Sequence, residues 1–211
     1  IRQLALDALI AFRDGGCVPA PPPSADDLLR IMEYAVGGVE MAEYLPLLEE
    51  ELAMRGEDRR APDWRLDELD PDRQLSVVII GAGMSGILAA HRLTQAGVPY
   101  TILEKNDDVG GTWLENTYPG CRVDNPNHNY SYSFAQRHDW PLHFSTHDVL
   151  RDYFRQCADV FGVREHVRFG VEVTSAVWSD ADQQWTVAFR DDGGRHTLVA
   201  DAVISAVGQL N

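Results

Sequence analysis

Six consecutive residues, Gly81-Ala82-Gly83-Met84-Ser85-Gly86, set three glycines at the spacing G-x-G-x-x-G, directly after the apolar run Val77-Val78-Ile79-Ile80. In that setting Gly81 permits a tight turn, Gly83 lets the backbone approach a pyrophosphate, and Gly86 lets a following helix pack close to the strand. An anion there meets free N–H groups and the positive end of a helix dipole, a gain of roughly 0.3–2 kcal/mol. Ser85 opens that helix and offers phosphate its backbone N–H and its hydroxyl. The glycine turn alone is a weak signal. Glu104, 18 positions past Gly86 and at the end of the next predicted strand, sharpens it. Its carboxylate suits both hydroxyls of an adenosine ribose and would repel a 2′-phosphate, which favours FAD or NAD over NADP. The competing reading is an exposed strand-end glutamate behind a chance glycine turn.

Other chemistries fit less well. A hydrolase nucleophile elbow, G-x-S-x-G around Ser85, would need glycine where Ile87 stands. His143 and His147 are four apart with Asp148 adjacent, but they straddle a predicted helix start and lack a third partner, so no metal is expected. Cys17, Cys121 and Cys157 are odd in number and show no Cys-x-x-Cys spacing, which argues against a disulfide framework or a zinc knuckle. Only Arg122 lies near Cys121 to lower its pKa, so no nucleophilic role is assigned to it.

The elements that must position these groups follow from the apolar pattern. The unbroken run 77–80 predicts a strand of a parallel sheet covered on both faces. A helix is predicted from Ser85 to Gln95, with Ile87, Leu88, Ala90 and Leu93 inward and Gly97 as its stop. Val98 to Glu104 completes a βαβ unit. Ser145 and Thr146 offer caps for a helix with Val149, Leu150, Tyr153, Phe154, Cys157, Val160 and Phe161 on one stripe. Val167, Phe169, Val171 and Val173 alternate with polar residues, as do Trp185, Val187 and Phe189. With the turn Asp191-Asp192-Gly193-Gly194 and the run 198–207, they predict a β-meander feeding back into the parallel sheet. Residues 74–211 therefore read as one α/β domain.

Residues 1–73 differ in texture. Leu4, Leu6, Leu9, Ile10 and Phe12 predict an amphipathic helix ended by Gly15-Gly16. After Pro21-Pro22-Pro23, Ser24 reads as an N-cap, with Asp26 and Asp27 in the first turn and Leu28, Leu29, Met32, Ala35 and Val36 on one face. A third run carries Leu45, Leu47, Leu48, Leu52 and Met54, and residues 56–74, charged and with two prolines, read as a linker. So few apolar faces cannot close a core alone. They predict either an extension that docks or forms a homodimer, or an accessory helical cap.

The 211 residues carry 33 acids against 18 bases, a formal net charge of -15. That balance argues against nucleic acid and against an anionic membrane surface as partners, and fits a solvated acidic exterior. No stretch approaches the roughly 18–20 continuous apolar residues of a membrane span, and no secretory leader pattern is present, so a cytoplasmic location is expected. Because the chain starts at Ile1 and stops just beyond a strand-like run, it is expected to be a piece of a longer protein.

Downstream of Glu104 comes Gly110-Gly111-Thr112-Trp113-Leu114-Glu115-Asn116-Thr117-Tyr118-Pro119-Gly120-Cys121-Arg122-Val123-Asp124, and soon after it Asn129-Tyr130-Ser131-Tyr132-Ser133-Phe134. These runs resemble the second FAD segment of Baeyer–Villiger monooxygenases. The Glu-Asn-Thr-Tyr-Pro-Gly stretch and the helical extension resemble the 4-hydroxyacetophenone monooxygenase branch. The likeness covers 75–211 well and 1–73 loosely. It implies a Rossmann-like FAD-binding domain, with a parallel sheet, helices and a β-meander, preceded by an α-helical N-terminal extension. It further implies that NADPH, held by a second Rossmann domain beyond Asn211, reduces FAD. Dioxygen then gives a C4a-peroxyflavin that attacks a ketone and inserts oxygen to form an ester or lactone. The fragment alone is expected to be inactive.

By the same resemblance, Gly81, Gly83, Met84, Ser85, Gly86, Glu104 and Lys105 hold the adenosine diphosphate half of FAD. Thr112 and Trp113 line the flavin, with Leu114 and Glu115 beside them, and Gly111 is also cofactor-binding. Tyr130 and the backbone of Val173 touch other parts of the cofactor. Ala206 and Gly208 sit where the chain passes it. Asp124, with Arg122 and Val123, lies where the nicotinamide approaches, and Asp124 is the one residue given a catalytic role, orienting the nicotinamide with an arginine from later in the chain. Without the family likeness, Asp124 reads as a loop-capping aspartate, and Trp113 and Tyr130 as core packing. Flavin-containing and N-hydroxylating monooxygenases share the first glycine turn but fit Tyr-Pro-Gly-x-Arg-x-Asp less well. A non-catalytic FAD- or nucleotide-binding module is the third reading, if the chain ends at Asn211.

Overall fold

A computed structural model of the protein describes residues 2–18, 21–52 and 58–209, in two compact units, Ile1–Arg59 and Arg60–Asn211. Among the described residues the first unit holds three α-helices, α1 (Arg2–Asp14), α2 (Ala25–Ala35) and α3 (Leu45–Leu52). Ser24 caps α2 as its sequence predicts: its hydroxyl accepts the Asp27 N–H at 3.1 Å, which satisfies one of the four orphan amides of a helix start. Leu28 and Met32 are buried on that helix. On α1, by contrast, Leu4, Leu6, Leu9, Ile10 and Phe12 are all exposed. Met54, expected on the third apolar face, lies outside the described residues.

Residues 60–73 go with the second unit and not with a linker. Their short helix α4 (Leu66–Leu69) begins with the Leu66 N–H donating to Ala96 O at 2.8 Å, while the Arg65 guanidinium donates to Gln95 O at 3.2 Å. Further along come β1 (Val77–Ile80), α5 (Met84–Gln95), β2 (Tyr100–Leu103), α6 (Thr112–Glu115), α7 (His147–Val160), β3 (Val167–Arg168), β4 (Glu172–Ser179), β5 (Gln184–Asp191), β6 (Gly194–Ala200) and β7 (Ala202–Ser205). One sheet is parallel in the order β3-β2-β1-β7, and the other is the antiparallel meander β4-β5-β6. This is an α/β, Rossmann-like fold with a meander that returns the chain to the parallel sheet.

The continuous apolar run of β1 has its physical reason here. Alternate residues point to opposite faces, so Val77 and Ile79 join the helix-side core with Ile87, Ala90, Leu150 and Phe154. Val78 and Ile80 pack with Val187, Phe189 and Val171 on the meander side. Each such side chain buried contributes about 1.5–3 kcal/mol. On α7 the expected stripe is buried through Leu150, Tyr153, Phe154 and Cys157, but Val160 in the last turn is 73% exposed.

Two strand boundaries differ from the sequence reading. The second strand is Tyr100–Leu103, shorter than the expected 98–104. The alternating run 167–173 is divided. Val167 and Arg168 pair parallel with Ile102 and Leu103, Gly170 takes φ +66, and the meander starts at Glu172. No helix among the described residues is long and apolar enough to cross a membrane.

Candidate functional site

Two glycine-bearing chain segments converge at the C-terminal ends of β1 and β2, where a doubly wound sheet opens a crevice. The first is the turn from β1 into α5. Gly81 has φ +100, and a Cβ built on it would lie 2.7 Å from Ala206 O. Gly86 is tighter still: its Cβ would stand 2.0 Å from Gly81 O, so the first turn of α5 rests directly on the glycine turn. The second segment brings Gly110 and Gly111, both at positive φ, against the first. A Cβ on Gly111 would be 2.9 Å from Gly83 Cα, and Gly110 N–H donates to Ala82 O at 3.0 Å. Two backbones without side chains thus form one wall, the kind of surface a pyrophosphate needs.

Glu104 is 4% exposed at the floor of this crevice. Its Oε2 accepts the Ala82 N–H at 2.6 Å and its Oε1 accepts the Asn106 N–H at 2.9 Å. Two amides thus satisfy the buried side chain, and each oxygen keeps lone-pair capacity for a hydroxyl. Lys105 pairs with Glu115 at 3.3 Å, and Asn106 Nδ2 donates to the same Glu115 oxygen at 2.7 Å, which ties α6 to the end of β2.

Trp113 is buried on α6, and its indole N–H donates to Tyr130 Oη at 3.2 Å with the rings edge to face. Packing and polarity therefore fix both aromatics together. Arg122, Val123 and Asp124 are held by an antiparallel bridge between Arg122 and Thr146. Val123 N–H donates to Ser145 O, and His147 N–H donates to Cys121 O. Asp124 is exposed beyond that bridge, its carboxylate available at the cleft. Beneath, the Tyr132 hydroxyl donates to Met84 O at 2.6 Å and Tyr153 donates to Ala135 O. Burial pushes both phenols far up, so they remain neutral braces. Burial likewise pushes the Cys157 thiol up to about 11, which leaves it inert.

These segments enclose a cleft of about 810 Å³, within the roughly 300–1,000 Å³ typical of small-molecule sites. Gly81, Gly83, Met84, Ser85, Glu104, Lys105, Gly111, Thr112, Trp113, Arg122, Val123, Asp124, Tyr130, Val173, Ala206 and Gly208 all line it. Gly86 lies buried under the turn, and Leu114 packs beside Gly110 away from the lining.

A family model described as an NAD(P)-binding Rossmann-like domain matches residues 79–157. Over 209 residues the chain is 36% identical to an uncharacterised monooxygenase of Sinorhizobium fredii, a match covering 99% of this chain and 30% of that protein. Over 136 residues it is 43% identical to a Baeyer–Villiger monooxygenase of Streptomyces coelicolor, covering 64% of this chain and 25% of that protein. This chain is homologous to the N-terminal portion of flavin monooxygenases. A crystal structure of OTEMO in complex with FAD and NADP agrees, with TM-score 0.60 and 35% identity over 65% of this chain and 26% of that one. The chain spans less than a third of the length of the curated relatives it matches.

In this flavin-monooxygenase homologue the cleft also takes in residues that sequence reasoning did not assign to it. Ile80 and Leu103 end the two strands, Asn116, Tyr118 and Cys121 lie inside the Gly110–Asp124 run, and Glu172 opens β4 beside Val173. The strand ends were within reach, since ligands gather at the carboxyl ends of parallel strands. Glu172 was not, because the break at Gly170 decides where the meander begins.

Proposed function

We propose that this chain is the FAD-binding front part of a cytoplasmic, NADPH-using monooxygenase that inserts an oxygen atom from dioxygen into ketones to give esters or lactones. The observation that carries this reading is the glycine-walled cleft with the buried Glu104 carboxylate at its floor. The Baeyer–Villiger relative and the FAD and NADP of the OTEMO structure support it, and the three free cysteines fit a reducing compartment.

When bound, FAD would take two electrons from NADPH and pass them to dioxygen. The residues of this chain do the rest of the work here. Gly81, Gly83, Met84 and Ser85 hold the diphosphate against the first turn of α5, and Gly111 closes on it from the other side. Glu104 accepts the ribose hydroxyls with its remaining lone pairs, and Lys105 and Val173 flank the adenosine. Thr112 and Trp113 would wall the ring system, with Tyr130 fixing the indole, and the backbone at Ala206 and Gly208 runs along the crevice. Asp124, exposed and anchored through Arg122 and Val123 to the start of α7, orients the nicotinamide.

The test uses the full-length protein. It is expected to purify yellow with one FAD per chain and to convert a cyclic or aryl ketone to its ester with matching NADPH oxidation. Oxygenation of sulfides or amines without any ester moves it to another flavin monooxygenase class, and a colourless protein that takes up no FAD removes the reading altogether. Asp124→Ala is expected to retain FAD while NADPH reduces it roughly ten- to a hundredfold more slowly in stopped flow. Unchanged reduction removes the role given to Asp124.

A further inference from the structure

Between Glu104 and Gly111 the chain carries a carboxylate that the proposed cofactor contacts do not use. Asp108 keeps 18% of its side chain exposed and lies outside the cleft lining. Its Oδ2 pairs with Arg155 Nη2 at 2.5 Å, its Oδ1 pairs with Arg164 Nη1 at 2.8 Å, and the Val109 N–H donates to Oδ1 at 2.8 Å. The two arginines come from different places, Arg155 from α7 and Arg164 from the turn that follows it. Arg164 is held from its other side by Asp159 at 2.7 Å. Burial alone would raise the Asp108 carboxyl, but Arg164, the Val109 amide and Arg155 outweigh it and keep the group below the usual carboxylate range. Arg155, like Arg164, has a second acid partner, Asp152 at 3.5 Å, so Asp108 is the anion shared by two cations in a cluster of three acids and two arginines.

Its place in the chain gives the anchor a consequence. Upstream, the loop is fixed where Asn106 N–H meets Glu104, and downstream where Gly110 N–H meets Ala82 O. Gly110 and Gly111 have little room at the cleft. A Cβ on Gly111 would be 2.9 Å from Gly83 Cα, and one on Gly110 would be 3.3 Å from Leu114 Cβ and 3.5 Å from Arg151 Cγ. A shift of a few tenths of an ångström at residue 108 would therefore pass directly into the wall. Val109, fully buried between them, transmits such a shift because close packing leaves no slack.

We propose that Asp108, through Arg155 and Arg164, is a positioning residue that seats the Gly110–Trp113 wall against the glycine turn and so sets affinity for the flavin dinucleotide. This inference rests on the FAD reading above. Asp108 touches no bound group itself. It acts through the loop, and the arginines give that loop one position relative to α7.

The test is a titration of full-length apoprotein with FAD, followed by flavin fluorescence, alongside the thermal midpoint of the apoprotein. Asp108→Asn is expected to weaken FAD binding roughly tenfold while the apoprotein midpoint stays near that of the wild type. Asp108→Glu is expected to restore most of the affinity. Asp159→Asn, which removes only the outer partner of Arg164, is expected to bind FAD within about twofold of wild type. Should Asp108→Asn fail to fold, Arg164→Gln takes its place with the same expected loss. Wild-type affinity in the substituted protein, or an equal loss in Asp159→Asn, overturns the positioning role and leaves the FAD reading standing. A wild-type protein that binds no FAD fails the reading itself and takes the inference with it.

Discussion

A single methyl group separates the two ways in which the glycines of the turn matter. At Gly86 an added Cβ would stand 2.0 Å from Gly81 O, a backbone atom that cannot move without prising α5 off β1. At Gly83 the same Cβ would stand 3.5 Å from Gly111 Cα, an ordinary contact. We expect Gly86→Ala to cost about 3 kcal/mol, the upper end of typical overpacking penalties, and Gly83→Ala to stay within about 0.5 kcal/mol of wild type. Urea melts of the cofactor-free protein check this, and equal losses in both variants would remove the distinction. The spacing of these glycines and of Glu104 was legible in the sequence because a turn, a helix start and a strand end are local events. The bond from Trp113 to Tyr130 and the anchoring of Asp108 were not. They join residues 17 to 56 positions apart, a reach that no local pattern in the sequence reports.

At the scale of elements, the least expected feature is the use the fold makes of residues 60–73. Arg65 donates to Gln95 O at the end of α5 and is itself paired with Asp67 at 3.1 Å, while Leu66 N–H closes on Ala96 O. Helix C-termini leave carbonyls without intrahelical donors and carry the negative end of the dipole, so a guanidinium there stabilises twice over. Arg65 is nearly half exposed, and solvent screening holds its share to about 0.5–1 kcal/mol. Arg65→Ala is expected to lower stability by that amount and to speed amide exchange at residues 95–98. Exchange that is unchanged there would mean the contact carries no load. Charge and prolines made this stretch look like a linker because composition reports solvent exposure and says nothing about which backbone group a single arginine reaches. The divided run 167–173 was hidden for a related reason. Alternation fits a meander strand or a short parallel strand equally well, and the choice depends on Ile102 and Leu103 lying alongside.

Across the molecule, 33 acids and a net charge of -15 make carboxylates the groups whose titration most changes the fold's stability. Most are solvated and contribute mutual repulsion. Asp201 is different, because it joins the two sheets: its Oδ2 accepts the Ser76 N–H at 2.7 Å and the Ser76 hydroxyl at 3.0 Å, and its Oδ1 accepts Gln184 Nε2 at 3.2 Å. Ser76 leads into β1, Gln184 begins β5 and Asp201 stands between β6 and β7, so one carboxylate links the parallel sheet to the meander at the end remote from the cleft. The Ser76 amide, then Gln184 and the Ser76 hydroxyl, hold its carboxyl below the usual range. A depressed folded-state value means the charged form is favoured by folding. The stabilisation is therefore complete above the unfolded value near pH 4 and is lost as pH falls through the lower folded one. Asp201→Asn should cost about 1 kcal/mol at neutral pH after allowance for solvent screening. The gap to wild type should then close as pH falls below about 4 and through the lowered native value, where the native carboxylate also becomes neutral. Urea midpoints of the two proteins at stepped pH measure this directly. A gap that persists unchanged at the acid end would show that the brace acts through shape and not through charge.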